Sequence, residues 1–179
     1  ENPYKNLFKN GATIFPRCFY FVDIVGETPP DWHDRTLIVS TAEGIKADAK
    51  EPWKQIAFDN KRMESRFLFR TGLAKSILPF ALHEPDLVTL PVLIETENGQ
   101  KIIKLLNADD LRKEGYLHAA TWFTDRERIW DKLKTEKSGN MTANNRLDFQ
   151  RGLTDQNLNH PYLVLYSASA KDANATIIK

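Results

Sequence analysis

Cysteine is nearly absent from this chain of 179 residues, which carries a single one at position 18. One cysteine excludes a disulfide within the chain, whereas small secreted domains commonly depend on such bridges. The composition therefore favours a reducing compartment, the cytoplasm. Because Cys18 lies in a hydrophobic segment, we expect its thiol to have a raised pKa and to serve core packing rather than nucleophilic attack.

Long apolar runs are also missing. The most apolar segments, at 18–22 and 87–94, are short or interrupted by polar residues or proline. They fall far below the ~20 residues that a membrane-spanning helix needs. No basic segment followed by an apolar one opens the chain, so the sequence predicts no membrane anchor and no signal peptide.

The residue patterns of self-contained enzymes are not found either. The eight glycines are never two residues apart, so no G-x-G turn is available to hold a nucleotide or S-adenosylmethionine. The four histidines are widely spaced, which gives a zinc site little support. No nucleophile is paired with a base, so a small hydrolase or nuclease is the least favoured class. We predict no catalytic, cofactor-binding or metal-binding residue in this chain.

What the chain has is the composition of a folded domain. Hydrophobic residues make up 41% and charged residues of mixed sign 27%, with a formal net charge of +1. This balance excludes disorder, and any polyanion-binding function must come from a local basic patch. The length suits one domain, 1–179. Because the chain opens without Met and closes on a strand-like run, we expect it to be part of a longer protein.

Strand signals recur along the whole chain. Asn98 and Gly99 lie between two apolar segments and predict a tight hairpin, because both residues tolerate a positive φ. Two further strands on either side of the Gly- and Pro-rich loop near 26–31 could pair in antiparallel fashion. Strands are predicted near 18–25, 35–40, 87–95, 100–106 and 162–167.

Helix signals concentrate in the segment 107–153. Asn107 is a good N-cap for a first helix, a longer helix is predicted over about 116–134, and Thr142 can cap a third. The stretch 66–80 predicts a short additional helix, and 41–52 reads as a surface loop. The expected fold class is α+β, with a mixed, mainly antiparallel sheet and about three helices in a single domain.

Basic and amide side chains are the remaining candidates for function. On helices, Arg66 and Arg70 would share a face, as would Arg146 and Gln150. By itself such spacing favours a solvated helix face over DNA contact, but arginine, asparagine and glutamine are also the side chains that contact phosphates and read base edges. The candidate DNA-contacting residues are Arg17, Arg66, Arg70, Lys75, Arg146, Gln150, Arg151, Gln156 and Asn157.

Several short segments form a pattern that extends over most of the chain, and an aromatic strand follows the first of them. They are GATIFPR at 11–17, EPWK at 51–54, ESRFLFR at 64–70, LPF at 78–80, LNA at 106–108, GY at 115–116, Trp130 and RLDFQRGLTDQN at 146–157. Together these segments resemble the region that follows the catalytic domain in large N6-adenine DNA methyltransferases of restriction-modification and phage-defence systems.

The resemblance implies a target-recognition region that binds duplex DNA. It also implies that a separate catalytic domain of the same chain binds S-adenosylmethionine and transfers the methyl group. No catalytic residue is carried over, because the segment Asn2-Pro3-Tyr4 lacks the second proline of the family's Asn-Pro-Pro-Tyr motif. The alternative is a non-catalytic docking module that uses Trp32, Trp53, Trp122 or Trp130 on an exposed aromatic patch.

Overall fold

The computed structural model describes residues 10–167 and 174–179, so the segment at 2–4 lies outside the described residues. The described part contains four α-helices and eleven short strands. The helices are α1 (Glu43–Asp48), α2 (Ala108–Lys113), α3 (Leu117–Leu133) and α4 (Ala143–Leu147). The strands are β1 (Val22–Ile24), β2 (Thr36–Thr41), β3 (Lys61–Glu64), β4 (Leu68–Thr71), β5 (Ile77–Leu78), β6 (Ala81–Leu82), β7 (Asp86–Thr89), β8 (Val92–Glu97), β9 (Gln100–Leu105), β10 (Leu163–Tyr166) and β11 (Ala175–Ile178).

The strands form small antiparallel sheets, which confirms the α+β class. Within the described residues, β1, β2 and β3 make one three-stranded sheet, and the other strands pair as β4 with β7, β5 with β6, β8 with β9 and β10 with β11. One continuous sheet was expected, but the strands are divided among five. Pro91, which has no N–H to donate, separates β7 from β8.

Two local predictions are confirmed in detail. The β8–β9 hairpin turns at Asn98 and Gly99, whose φ angles are 50° and 78°. Asn107 caps α2, because its side chain accepts hydrogen bonds from the backbone of Asp109 and Asp110. Both features depend only on neighbours in sequence, which is why the residue pattern was sufficient to find them.

The prediction of a short helix over 66–80 is wrong. This stretch begins with a 3₁₀ turn at Ser65–Phe67, continues as β4 and then forms a second 3₁₀ turn at Ala74–Ser76 before β5. Strand β4 pairs with β7 in a register that places Phe69 opposite Val88. Long-range pairing with an apolar strand therefore overrides the weak helical spacing.

Two further predictions are corrected. Residues 41–52 contain α1 instead of a loop throughout. The third helix is capped by Thr142 as expected, but α4 ends at Leu147. A 3₁₀ turn follows at Phe149–Arg151, in which Gln150 has a φ of 54°. Arg146 and Gln150 therefore do not share one helix face.

The core is built around the segment 18–22, which runs beneath α3. Cys18, Phe19, Tyr20, Phe21 and Val22 are all buried. The indole nitrogen of Trp122 in α3 donates to the carbonyl of Phe19 at 3.0 Å. This bond joins residues that are 103 positions apart. The aromatic segment therefore acts as the surface on which the helices assemble.

Helix α3 begins at a carboxylate from the sheet. Both oxygens of Glu64, the last residue of β3, accept hydrogen bonds from the backbone N–H groups of His118 and Ala119, at 3.0 and 2.8 Å. The first turn of a helix has unsatisfied N–H groups and a positive partial charge, so a carboxylate stabilises it on both counts. Glu64 thereby fixes the helix against the three-stranded sheet.

The guanidinium of Arg126, in the middle of α3, is 1% exposed. One of its nitrogens donates to Glu127 at 2.9 Å and to Asn144 at 2.7 Å. A second nitrogen donates to the hydroxyl of Tyr20 at 3.5 Å, and the third, Nε, is buried without a hydrogen-bond partner among the described residues. The group lies 4.8 Å from the ring centroid of Phe123. Burial raises the pKa of Tyr20, so this phenol stays neutral and donates to the carbonyl of Ala143.

Glu127 extends this network to α4. Its carboxylate accepts from the backbone N–H groups of Ala143 and Asn144, the first two residues of α4, at 3.0 and 3.3 Å. Arg126 therefore binds a side chain of α4, and Glu127 binds the backbone of its first turn. No helix in the described part of the chain is long and apolar enough to cross a membrane.

Replacing Arg126 with alanine should lower the free energy of unfolding by about 2–4 kcal/mol. The change removes a buried cation and its packing, and it deprives the side-chain oxygens of Asn144 and Tyr20 of the donor that Arg126 supplies. Urea denaturation followed by tryptophan fluorescence measures the effect. The matched control is Arg128→Ala on the same helix, whose side chain is 76% exposed and pairs only with Asp125. It should change stability by less than about 0.5 kcal/mol, and equal effects of the two changes would contradict the central role of Arg126.

Candidate functional site

An arginine between two aromatic rings marks the most distinctive surface of the molecule. The guanidinium carbon of Arg146, in α4, lies 5.6 Å from the ring centroid of Phe15 and 5.8 Å from that of Phe149. The two phenyl groups are 41% and 42% exposed. No carboxylate among residues 10–167 and 174–179 lies within ion-pair distance of Arg146. Its charge is therefore available to an external anion.

The segment 10–16 is fixed against α4 by two contacts. The backbone N–H of Thr13 donates to the carbonyl of Leu147 at 3.0 Å. Gly152 approaches the backbone of Gly11 so closely that an added Cβ would lie 2.5 Å from the Gly11 oxygen. Glycine is needed here because of this close approach, and the contact places Phe15 beside Arg146.

The turn after α4 shapes a first cleft of about 240 Å³, which we call the Gln150 cleft. Gln150 and Arg151 both have positive φ, at 54° and 57°. Asp148 stabilises the turn, because its carboxylate accepts from the backbone of Leu153 and Thr154 at 2.9 Å. The cleft is lined by Asn10, Phe149, Gln150, Arg151, Gly152, Asp155 and Gln156.

Charge in the Gln150 cleft is partly neutralised. Arg151 pairs with Asp155 at 2.8 Å, and this hydrogen bond raises the pKa of Arg151. Gln156 donates its amide to the carbonyl of Gly152 at 3.1 Å. The carboxamide of Gln150 has no hydrogen-bond partner within the described residues. Gln150 is therefore free to meet a ligand.

A second cleft of about 260 Å³ lies on the other side of Phe15, and we call it the Trp53 cleft. Trp53 meets Phe15 edge to face at 6.0 Å and stacks on Trp130 at 5.9 Å. Arg17, whose guanidinium lies 5.8 Å from the ring of Phe21, stands on its border without a carboxylate partner in the described chain. The cleft is lined by Phe15, Pro16, Arg17, Cys18, Ile45, Asp48, Ala49, Lys50 and Trp53.

The two clefts are joined by the row Phe15, Arg146 and Phe149. We call the whole surface, consisting of this row and both clefts, the Arg146 face. Of the nine predicted DNA-contacting residues, it brings together five: Arg17, Arg146, Gln150, Arg151 and Gln156.

The other four candidates have separate partners elsewhere. Arg66 donates to the hydroxyl of Tyr116 and lies 4.9 Å from its ring centroid. Arg70 donates to the carbonyl of Pro85 at 3.2 Å, and Lys75 pairs with Asp86 at 2.9 Å. The carboxamide oxygen of Asn157 accepts from the backbone of Asn159 at 2.9 Å.

Arg66 does not extend the Arg146 face at the Trp53 cleft. Arg66 contacts Tyr116 just before α3, whereas Trp53 stacks on Trp130 near the other end of that helix. At 1.5 Å per residue, Tyr116 and Trp130 are roughly 20 Å apart along the helix. The expectation that Arg66 and Arg70 share a helix face is also wrong, because Arg66 lies in a 3₁₀ turn and Arg70 in β4.

Sequence reasoning missed the aromatic part of the site and one of its basic residues. Phe149 is three residues after Arg146, a spacing that could have suggested contact. Phe15 and Lys50 carry no such signal, because they reach the site only through the packing of segment 10–16 and of the loop after α1.

The tryptophans do not form the exposed patch that a docking module would need. Trp122 and Trp130 are buried, and Trp32 and Trp53 are partly buried against the core. The described residues also contain no group of three His, Cys, Asp or Glu side chains that could hold a metal ion. Comparison of the chain with protein-family models, with curated proteins and with solved structures gave no match.

Replacing Gly152 with alanine should destabilise the protein by about 1–3 kcal/mol. Its φ of −63° suits alanine, so the effect would come from the clash with the Gly11 backbone alone. Thermal or urea unfolding measures it. The control is Gly44→Ala in α1, where an added Cβ meets no atom within 4 Å. That change should be neutral or stabilising by up to about 1 kcal/mol, and a harmless Gly152→Ala would contradict the close contact.

Cys18 should be inert to thiol reagents in the native protein. Burial raises the pKa of its thiol to about 12, so at pH 8 only about one molecule in ten thousand carries the reactive thiolate. Incubation with an aromatic disulfide reagent should give no labelling of the native chain and complete labelling in guanidinium chloride. Rapid labelling under native conditions would contradict the burial of this thiol beneath the Trp53 cleft.

Proposed function

We propose that this chain binds duplex DNA through the Arg146 face, as the target-recognition region of an N6-adenine DNA methyltransferase. The observation that carries the proposal is the guanidinium of Arg146, held between two half-exposed phenyl rings without an ion-pair partner among the described residues. A guanidinium fixed in this way can donate to a phosphate or to a guanine edge. The flanking rings limit its rotamers, so less entropy is lost on binding.

The charge distribution of the face supports this assignment. Arg17, Lys50 and Arg146 are basic and have no carboxylate partner in the described chain. Asp155 is tied to Arg151, which leaves Asp48 as the one unpaired acidic residue lining either cleft among residues 10–167 and 174–179. The local balance is therefore positive although the whole chain is nearly neutral, and a local basic patch of this kind is what phosphate binding requires.

The amide side chains offer a means of reading bases. A glutamine carboxamide can bond to both N6 and N7 of adenine in the major groove. Gln150 stands at the tip of a tight turn, exposed and without an internal hydrogen bond among the described residues. Gln156 uses its amide nitrogen within the chain, so its oxygen alone remains. Gln150 is accordingly the main candidate for sequence recognition and Gln156 a secondary one.

In this proposal the chain supplies recognition and another domain of the same protein supplies chemistry. The resemblance of the segments at 11–17 and 146–157 to the family includes both sides of the Phe15–Arg146 contact. The chain's own residues do not fit S-adenosylmethionine, because neither cleft contains a G-x-G turn. The cofactor would be bound by the separate catalytic domain.

The test is fluorescence anisotropy of a labelled duplex at several salt concentrations. Arg17→Ala and Arg146→Ala should each weaken binding, and each lost phosphate contact should reduce the slope of log K against log salt by about 0.9. Arg128→Ala, which removes an equal charge from the exposed side of α3, should change neither quantity. The variants Arg66→Ala and Arg70→Ala, measured in parallel, test whether these two arginines, which lie outside the Arg146 face, also contact DNA.

The possible outcomes distinguish between two DNA interfaces and the absence of DNA binding. A loss confined to Arg17 and Arg146 supports the Arg146 face, whereas a loss confined to Arg66 and Arg70 would move the interface to the start of α3 and to β4. No binding of the wild-type chain at ~50 mM salt, where electrostatic contacts are strong, would overturn the proposal.

A further inference from the structure

The Trp53 cleft has features that phosphate binding does not use. Its walls are mainly apolar, with Phe15, Pro16, Ile45, Ala49 and Trp53 among them. The aromatic side chains are held in place from behind, because Trp53 meets Phe19 edge to face at 5.5 Å and stacks on Trp130. A surface that only bound phosphate would have no need of this apolar recess.

The size of the cleft restricts what it can hold. Its volume of about 260 Å³ is below the ~300–1,000 Å³ of sites for drug-sized ligands. One flat ring system is therefore the appropriate occupant. Aromatic walls favour such rings, since a base stacked on an aromatic side chain contributes substantially to binding whatever its identity.

The charged residues at the border of the cleft indicate that the ring system belongs to a molecule with negatively charged groups beside the ring. Arg17 and Lys50 line the cleft and have no ion-pair partner in the described chain. Among the described residues, Asp48 is the only acidic side chain in the lining. Phe15 is shared with the row that contains Arg146. A cation for phosphate therefore stands on each side of the recess, as a nucleotide with phosphates on both sides would need.

We infer that the Trp53 cleft holds a single unstacked base of the bound DNA, whose flanking phosphates lie against Arg17 and Arg146. This inference rests on the proposed function and adds a subsite to it. Asp48 provides an acceptor for the exocyclic amino group of adenine or cytosine, so a base of this kind fits better than thymine. An apolar peptide side chain would leave the two arginines unused.

The experiment compares two labelled duplexes that differ in one group. One has a single bulged adenine, and the other has an abasic bulge at the same position. Binding of the 179-residue chain to both is measured by anisotropy at one salt concentration. If the cleft takes the base, the adenine bulge should bind at least about five-fold more tightly than the abasic bulge.

The variant Ala49→Met fills the cleft without changing any charge. It should weaken binding of the adenine bulge and thereby reduce the preference for that duplex to near one. The matched control is Ala47→Met, two residues earlier on the exposed side of α1 and outside the cleft lining, which should keep the full preference. Retained binding of the abasic duplex also shows that each variant is folded.

Three other results would overturn the inference, and each has a different meaning for the proposed DNA interface. Equal binding of the two duplexes by the wild-type chain, with both weakened by Arg146→Ala, removes the base site and leaves the proposed DNA face intact. A preference that persists in Ala49→Met places the base elsewhere. Absence of binding to either duplex overturns the base site and the proposed function together.

Discussion

The buried guanidinium of Arg126 is the interaction on which the candidate site depends. It connects Tyr20 of the N-terminal segment to Asn144 of α4, and its neighbour Glu127 fixes the first backbone N–H groups of that helix. Helix α4 has only five residues and could not persist by itself, because short helices are marginal in water. Its orientation, and with it the position of Arg146 between two rings, is set by contacts from α3.

Features that depend on sequence neighbours could be predicted. The α+β class, the Asn98-Gly99 hairpin, and the starts of α2 and α4 all rest on short-range preferences of backbone and capping side chains. The position of α3 follows from its amphipathic pattern, although the carboxylate at its N-terminus comes from Glu64 in another strand. Such local rules place elements along the chain and leave their mutual arrangement open.

Only part of the candidate site could be predicted from the sequence. Five of nine proposed residues meet on one face, but for a different reason from the one that selected them. Arg146 and Gln150 were grouped by helical spacing, and the positive φ of Gln150 breaks that helix. They come together because Asp148 stabilises the turn between them and because Gly152 admits the Gly11 backbone. Phe15 acquires its role from a contact across more than 130 residues, which no local pattern encodes.

The same long separation has a consequence for how the chain matures on the ribosome. The aromatic segment at 18–22 emerges early, yet its partners Trp122, Arg126 and Ala143 follow more than 100 residues later. Domains fold as units during synthesis, and contacts between distant residues form slowly. Contacts of the segment with Phe58 and Thr89 can form earlier, but Phe19 and Tyr20 lack their partners in α3 and α4 until these helices have left the exit tunnel, and during this interval the nascent chain is exposed to aggregation and to chaperones.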